Sequence, residues 1–253
     1  MALQALIFDV DGTLADTERD GHRVAFNLAF AQAGLAWHWG EALYGELLAV
    51  TGGKERIKHY VALHQPDMPE VGDFDEFVKG LHAAKTRHYT ELLAKGSIPL
   101  RPGVRRLLDE ARAAGLRLAI ATTTTPANIS ALLTHAMDAS AESWFEVIAA
   151  GDIVPAKKPA PDIYTYVLKR LGLPPSECMA FEDSENGIRS SLGADVPTIV
   201  TTNGYTRDHN FNGALVVLDQ MGEPGQPLKV LAGASVNGAE YLSLDLVRSL
   251  HAS

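Results

Sequence analysis

Two carboxylates, Asp9 and Asp11, directly follow the first apolar run of the chain, in the segment FDVDGTL. The run predicts a buried strand, and in an open sheet of parallel strands the ligand-binding edge lies just past the carboxyl ends of the strands. A carboxylate there can act as a nucleophile or bind a hard cation. Taken alone, two aspartates before Gly12 more often form a polar turn. Further polar groups at the same edge are needed to indicate chemistry.

Three later apolar runs supply such groups. LRLAIAT ends in Thr122, which Thr123 follows, and a hydroxyl beside free backbone amides can bind phosphate. Lys158 lies in the loop after FEVIAA, and CMAFED ends in Glu182 and Asp183. Each residue has an ordinary explanation, as a strand threonine, a surface lysine or a helix cap. Their arrival from successive strands at one sheet edge predicts a shared functional site instead.

The elements that must position these groups alternate along the chain. Short aliphatic runs predict strands, and the amphipathic stretches between them predict helices. The runs are apolar at nearly every residue, which is typical of parallel strands covered on both faces. The predicted fold class is α/β, with a Rossmann-like doubly wound parallel sheet. We expect Gly115, Gly172 and Gly193 to end helices in the left-handed conformation, and Pro161 to begin one. The predicted strands are 3–9, 116–122, 145–150, 178–183, 196–201 and 215–218, and the predicted helices are 104–115, 126–137, 161–172 and 184–194.

One long interval breaks the alternation. Between the first two predicted strands the chain shows only helical periodicity, which predicts a helical subdomain inserted after the first strand. The predicted core domain therefore comprises residues 1–15 and 98–253, and residues 16–97 form a helical cap. The tail beyond Gly222 carries no informative pattern. The predicted cap helices are 22–34, 40–50, 55–64 and 74–96.

Composition excludes several classes of protein. The 253 residues are 46% hydrophobic and 21% charged, which is typical of a globular chain with a sizeable core. A net charge of −9 argues against nucleic acid or an anionic membrane as the main partner. The single cysteine, Cys178, excludes an internal disulfide and is expected to be a core residue. We expect a cytoplasmic monomer whose partner is a small molecule.

The motifs together resemble a known family. DVDGTL, a strand-end threonine, KKPAPDIY and EDSENG follow one another as do the four motifs of the haloacid dehalogenase superfamily of aspartate-based phosphotransferases. The resemblance spans roughly residues 3–220, and the helical insertion is similar to the helical cap of that superfamily. Dehalogenases of the superfamily lack the second aspartate, so Asp11 points to phosphoester chemistry.

The resemblance implies a role for each motif residue. Asp9 would attack phosphorus and form an aspartyl-phosphate, while Asp11 would protonate the leaving alkoxide and then activate water. Thr122 and Lys158 would complete the catalytic set by binding the phosphoryl oxygens. Ser184 and Asn186 are candidates for orienting a metal ligand. Mg²⁺ is the implied cofactor, with Asp9, the main-chain carbonyl of Asp11, Glu182 and Asp183 as its ligands.

Two cap segments, TGGKER and HAAKTRHY, resemble the CbbY-type sugar phosphatases, whose architecture is similar to that of β-phosphoglucomutase. Members act on xylulose-1,5-bisphosphate, a misfire product of Rubisco, which implies release of its 1-phosphate and a place in the Calvin cycle. The segment ERDGH is one residue longer than in some members, so the relative register of Glu18 and His22 stays open. The implied substrate-binding residues are Glu18 and His22 near the sugar, Gly52 and Gly53 at a close backbone approach, Lys54 and Arg56 at a second phosphate, Lys85, and Thr123.

Three other functions remain open at this point. A phosphosugar mutase of the same architecture would return the phosphate to the sugar rather than pass it to water. A phosphosugar-binding protein would show no turnover, although every predicted catalytic residue is present. A broad phosphoglycolate-type phosphatase would need fewer cap cations directed at a second phosphate.

We expect Asp9→Asn to abolish turnover and leave the fold intact, because the amide is nearly isosteric but a poor nucleophile. The rate should fall by several orders of magnitude, each tenfold step corresponding to ~1.4 kcal/mol of barrier. Phosphate release by variant and wild type measures this, with circular dichroism as the control for folding. Retention of about a tenth of the wild-type rate would exclude Asp9 as the nucleophile.

Overall fold

The computed structural model describes residues 2–96 and 98–252. Their strands form one seven-stranded sheet in the order β3-β2-β1-β4-β5-β6-β7, and its neighbouring strands are parallel except for the antiparallel β6–β7 pair. The predicted Rossmann-like α/β class is confirmed, with β7 as an unpredicted edge strand. The strands are β1 (Ala5–Phe8), β2 (Arg117–Ala121), β3 (Phe145–Ala149), β4 (Cys178–Glu182), β5 (Thr198–Thr201), β6 (Val216–Leu218) and β7 (Val230–Gly233).

The central strand, β1, sets the position of the polar groups. Phe8, its last residue, lies opposite Ile120 in β2 and Phe181 in β4. Residues that follow these three strands are therefore neighbours at one edge of the sheet. Successive side chains of β1 enter two different hydrophobic clusters, Leu6 in one and Ile7 in the other, because strand side chains alternate between faces.

The predicted helices are present, with one error at a helix end. Gly115 and Gly172 have φ of +75° and +65°, as expected for left-handed residues after a helix. The prediction for Gly193 is wrong in its conformation, because Gly193 is the last residue of its helix and the left-handed residue is Asp195, with φ of +59°. A Cβ at Gly193 would lie 3.3 Å from Pro161, so close packing explains this glycine. The helices are α1 (Arg23–Gln32), α2 (Glu41–Leu47), α3 (Gly53–His64), α4 (Phe74–Ala94), α5 (Val104–Ala113), α6 (Pro126–Ala136), α7 (Asp162–Leu171), α8 (Glu185–Gly193) and α9 (Leu244–His251).

Helices α1 to α4 occupy the long interval between β1 and β2 and share a hydrophobic cluster of their own. Aromatic rings dominate it: Trp39 is fully buried and packs against Phe26 and Phe30, with ring centroids 4.7 and 4.9 Å away. Trp37 is also buried there. Both tryptophans thus pack inside the helical insertion, as expected. The division of the chain into a core and a cap domain stays a prediction.

The tail beyond Gly222 is ordered against the sheet. Leu244 and Val247 of α9 belong to the same large cluster as β1 and α5. Arg106 of α5 holds the tail, because its guanidinium donates to the carboxylate of Glu223 at 3.0 Å and to the carbonyl of Gly222 at 2.8 Å. Within the described residues, no helix has both the length and the apolar character that a membrane span requires.

Candidate active site

Asp9 leaves β1 at the carboxyl edge of the sheet and contacts a buried lysine. Lys158 Nζ donates to Asp9 Oδ1 at 2.8 Å and to Glu182 Oε1 at 2.6 Å. The hydroxyl of Tyr164 donates to the same Glu182 oxygen at 2.6 Å. Burial opposes the charge of Lys158, but its ion pairs with Asp9 and Glu182 hold the pKa of Lys158 above its ordinary value. The lysine is therefore a permanent cation beside the predicted nucleophile.

Three carboxylates gather around this point. Asp9, Glu182 and Asp183 are buried, and one oxygen from each lies within 4.8 Å of the other two. Burial raises the pKa of Asp9 to about 7, and burial together with the charges of Asp9 and Glu182 raises the pKa of Asp183 well above its ordinary value. A hard divalent cation would relieve this repulsion, and carboxylate oxygens are the donors that Mg²⁺ prefers. The donor set fits the predicted metal.

The carboxylate of Asp11 faces the helical insertion and not the acidic cluster. Its Oδ1 accepts from Thr17 Oγ1 at 2.5 Å and lies 2.8 Å from His22 Nε2. Lys85 Nζ lies 2.8 Å from the other ring nitrogen of His22. A lysine ammonium can only donate, so this contact favours the tautomer whose Nε2–H donates to Asp11. Burial raises the pKa of Asp11, but the contacts with His22 and Thr17 outweigh it and hold that pKa well below its ordinary range.

A turn of π-helix explains how both Glu18 and His22 reach the site. Residues Glu18–His22 form it, and the backbone N–H of Arg23 donates to the carbonyl of Glu18. A π-helical turn contains one residue more than an α-helical turn, and the segment ERDGH forms it here. Glu18 then accepts a short hydrogen bond from Tyr44, and its Oε2 lies 3.9 Å from the guanidinium of Arg56.

The site opens into two adjoining cavities. One, of about 280 Å³, reaches Asp9, Thr122 and Lys158, and the other, of about 130 Å³, extends between α3, α4 and the start of α6. Arg56 and Thr123 line both cavities, so the two share a wall. Charged side chains of both signs line the second cavity. The cations are Lys54, Arg56, Lys85 and Lys157, and the carboxylates are Asp11, Glu18 and Asp152.

Contacts between the helical insertion and the sheet domain surround the second cavity. Lys54 Nζ lies 2.6 Å from Asp152, and Lys157 lies 3.0 Å from both Asp152 and Glu55. These two lysines lower the pKa of Asp152 to about 2. The backbone at Gly52 passes close by, with φ of +97°, and a Cβ there would lie 2.7 Å from Lys157 Nζ. At Gly53 a Cβ would collide with the ring of His82.

Four residues around the site have contacts that their sequence motifs do not predict. Asn186 was expected to orient Asp183, but its amide donates to Thr51 Oγ1 at 3.1 Å and to the carbonyl of Ala49 at 3.2 Å. Ser184 instead caps α8 by accepting from the N–H of Gly187. Asn203 holds Asp183, with its Nδ2 2.6 Å from Oδ2. The position of Asn203 just past β5 could have identified it, and Tyr164 lies within the quoted motif KKPAPDIY.

The chain belongs to the haloacid dehalogenase-like hydrolases, whose family pattern matches residues 3–195. The α/β fold and the groups collected at the carboxyl edge of the sheet agree with that class. The chain is thus an enzyme, a hydrolase of the phosphatase type, as the sequence predicts.

Its relatives include proteins called CbbY, which confirms the resemblance drawn from the cap segments. "Protein CbbY, plasmid" of Cupriavidus necator is 49% identical over 243 residues, which cover 96% of this chain and 95% of that protein. Protein CbbY of Rhodobacter capsulatus is 51% identical, over 85% of this chain and 92% of that protein. The crystal structure of a mutant of CbbY from Rhodobacter sphaeroides in complex with xylulose-(1,5)bisphosphate matches with a TM-score of 0.81 and 45% identity, covering 86% of this chain and 94% of that one.

Replacing Lys85 with methionine should stabilise the protein at neutral pH. Lys85 is 4% exposed, and burial lowers its pKa from 10.5 to about 8. Its charged form therefore opposes folding below pH 8, and this cost disappears as the pH rises from 8 toward 10.5. We expect Lys85→Met to raise the free energy of unfolding by about 1–3 kcal/mol at pH 7, with a smaller gain at pH 10.

Urea denaturation at the two pH values measures the effect. Lys79→Met is the matched control, because Lys79 lies on the same helix but is exposed, so its replacement should change stability by less than about 0.5 kcal/mol. A Lys85→Met protein less stable than wild type at pH 7 would show that the lysine's contacts outweigh its burial.

Proposed function

We propose that the protein is a Mg²⁺-dependent sugar phosphatase that removes the 1-phosphate of xylulose-1,5-bisphosphate and releases xylulose 5-phosphate. The observation that carries this proposal is the pair of adjoining cavities, with Asp9 and the acidic cluster at one and four side-chain cations around the other. A bisphosphate matches such a pair, because one phosphate needs a nucleophile and the other only needs positive charge. The 45% identical CbbY of known structure binds the same compound.

Asp9 would be the nucleophile. Its ion pair with Lys158 opposes the rise in pKa that burial causes and leaves the lysine in place to bind a phosphoryl oxygen. Thr122 and Thr123 line the same cavity and would bind the remaining oxygens. Attack by Asp9 would give an aspartyl-phosphate and release the sugar alkoxide.

Asp11 would transfer the protons. In the structure it is a carboxylate held by His22 and Thr17, which suits the second half of the reaction, when a water must lose a proton to attack the aspartyl-phosphate. In the first half it would have to carry a proton for the leaving alkoxide. Because His22 is part of the helical insertion, substrate binding that displaces this contact would raise the pKa of Asp11 and prepare it as the acid.

Mg²⁺ would be held by Asp9, Asp183 and the main-chain carbonyl of Asp11, with Glu182 beside them. It would supply positive charge that lets an anionic nucleophile approach an anionic phosphate. Glu182 is already engaged by Lys158 and Tyr164 through one oxygen, so its expected part is to position the lysine as much as to bind the metal.

The second phosphate would bind near Lys54 and Lys157. The two cap cations predicted to bind this phosphate are Lys54 and Arg56. Lys54 is the better probe, because its partner, Asp152, is 60% exposed and can be displaced by a stronger anion. Arg56 is buried and donates to Tyr44 at 3.0 Å and to the carbonyl of Leu47 at 3.2 Å. Its removal would leave buried polar groups without partners and disturb the insertion itself.

A screen of phosphate release over sugar monophosphates, sugar bisphosphates and phosphoglycolate, with Mg²⁺, tests the proposal. We expect xylulose-1,5-bisphosphate to give the highest kcat/KM, one phosphate per sugar, xylulose 5-phosphate as product, and no activity after chelation of the metal. Interconversion of glucose 1- and 6-phosphates without phosphate release would identify a mutase. Equal rates on phosphoglycolate would identify a broad phosphatase.

Lys54→Ala should separate recognition of the second phosphate from catalysis. Loss of one charge-assisted contact should lower kcat/KM for the bisphosphate about ten- to a hundredfold and change that for p-nitrophenyl phosphate less than about threefold. Lys58→Ala is the control, because Lys58 also lies on α3 but pairs with Asp75 at 2.7 Å within the insertion.

A second variant separates binding from closure of the insertion over the site. Asp152→Asn removes the ion pair with Lys54 but leaves the lysine free to bind phosphate. If Asp152→Asn reproduces the loss seen for Lys54→Ala, or if Lys54→Ala lowers activity on both substrates equally, then Lys54 serves closure and the second-phosphate assignment is wrong.

A further inference from the structure

Arg101 is a buried arginine that lies outside the four catalytic motifs. It lies in the segment that returns from α4 to α5, and it is 8% exposed. Its backbone N–H donates to the carbonyl of Leu14 at 2.9 Å, and the neighbouring Leu100 forms a bridge with Ala15. The residue therefore lies beside the chain that leaves the Asp9–Gly12 loop.

The guanidinium of Arg101 joins three separate strand ends. It donates to the carbonyl of Gly12 past β1, to the carbonyls of Thr201 and Thr202 at the end of β5 at 3.1 and 2.5 Å, and to that of Asp219 past β6 at 3.0 Å. Its Nε lies 3.3 Å from the carboxylate of the exposed Asp16. Four main-chain carbonyls thus share one cation, which only the five donors of a guanidinium can satisfy.

Two of these strand ends enclose the carboxylate of Asp183. On one side is Gly12, where a Cβ would collide with that carboxylate, so the backbone approaches it as closely as a residue can. On the other side is Asn203, which directly follows the Thr202 carbonyl and whose amide lies 2.6 Å from Asp183 Oδ2. Arg101 binds the backbone on both sides and thereby sets the width of the space that Asp183 occupies.

We infer that Arg101 is a positioning residue for the metal site: by fixing the Gly12 and Asn203 loops relative to each other, it holds Asp183 in the orientation that binds Mg²⁺. The inference rests on the proposed Mg²⁺ dependence. The affinity for the metal then depends on a residue that lies outside the sequence motifs.

The test compares Arg101→Lys with Arg106→Lys. Lysine keeps the charge, but the three donors of its ammonium group are too few for the four main-chain carbonyls and the Asp16 carboxylate that Arg101 contacts. Arg106 is the matched control, since it also binds main-chain carbonyls and carboxylates, but in the tail and not near Asp183. Mg²⁺ affinity is read without substrate, from the rise in melting temperature as Mg²⁺ is added, and separately from the Mg²⁺ concentration that gives half of maximal phosphate release.

We expect Arg101→Lys to need about 10- to 100-fold more Mg²⁺ by both measures, with substrate KM at saturating Mg²⁺ within about threefold of wild type. Arg106→Lys should melt earlier and keep the wild-type Mg²⁺ dependence. Unchanged Mg²⁺ dependence in Arg101→Lys, or no stabilisation of the wild type by Mg²⁺, would overturn the inference. If Mg²⁺ stabilises the wild type but no phosphosugar is turned over, the proposed function is contradicted. The melting temperatures of the two arginine variants then still test the role of Arg101.

If Arg101→Lys does not fold, Asp16→Asn decides the question. Asp16 is exposed, so its replacement does not endanger folding, but it loosens the Nε side of Arg101. A rise of about two- to fivefold in the Mg²⁺ requirement supports the positioning role, since changes in the surroundings of metal ligands weaken metal binding by up to 100-fold. A wild-type requirement contradicts it.

Discussion

The site depends on one imbalance of buried charge: three carboxylates share a small space with one ammonium group. Lys158 contacts two of the three acids, and no other lysine of the described chain lies against them. The surrounding elements hold this arrangement together against its own repulsion. Strands β1 and β4 bring the acids side by side, Tyr164 holds Glu182, and Asn203 holds Asp183. A divalent cation among the three acids would relieve this repulsion.

The parts of the fold that the sequence predicts are those that local patterns determine. An apolar run that ends in polar residues locates the end of a parallel strand, and for this reason Asp9, Lys158 and Asp183 could be assigned to one edge. The tail could not be predicted, because Leu244 and Val247 share their hydrophobic cluster with α5, more than a hundred positions earlier in the chain. The packing role of Gly193 could not be predicted for a similar reason, since Pro161, which it faces, lies at the start of another helix, α7.

The site residues that escaped prediction act on the backbone or through another side chain. Arg101 satisfies main-chain carbonyls, and any residue type supplies those, so its partners leave no trace in the sequence. Asn186 follows Asp183 closely in sequence but extends toward the helical insertion, whereas Asn203 reaches Asp183 from the next strand. Nearness in sequence is a poor guide to orientation once the chain enters a helix, because each residue turns the side chain by about 100°.

The π-helical turn at Glu18–His22 has a consequence for how such a site can change over evolution. An extra residue in an ordinary helix rotates everything beyond it by about 100°, which would turn the buried aromatic face of α1 toward solvent. A single wide turn absorbs the extra residue locally, so Phe26 and Phe30 keep their places in the hydrophobic cluster. The separation of Glu18 and His22 therefore depends on this turn, whereas the packing of α1 does not. Insertion or loss of one residue in this turn would change that separation without repacking the aromatic cluster.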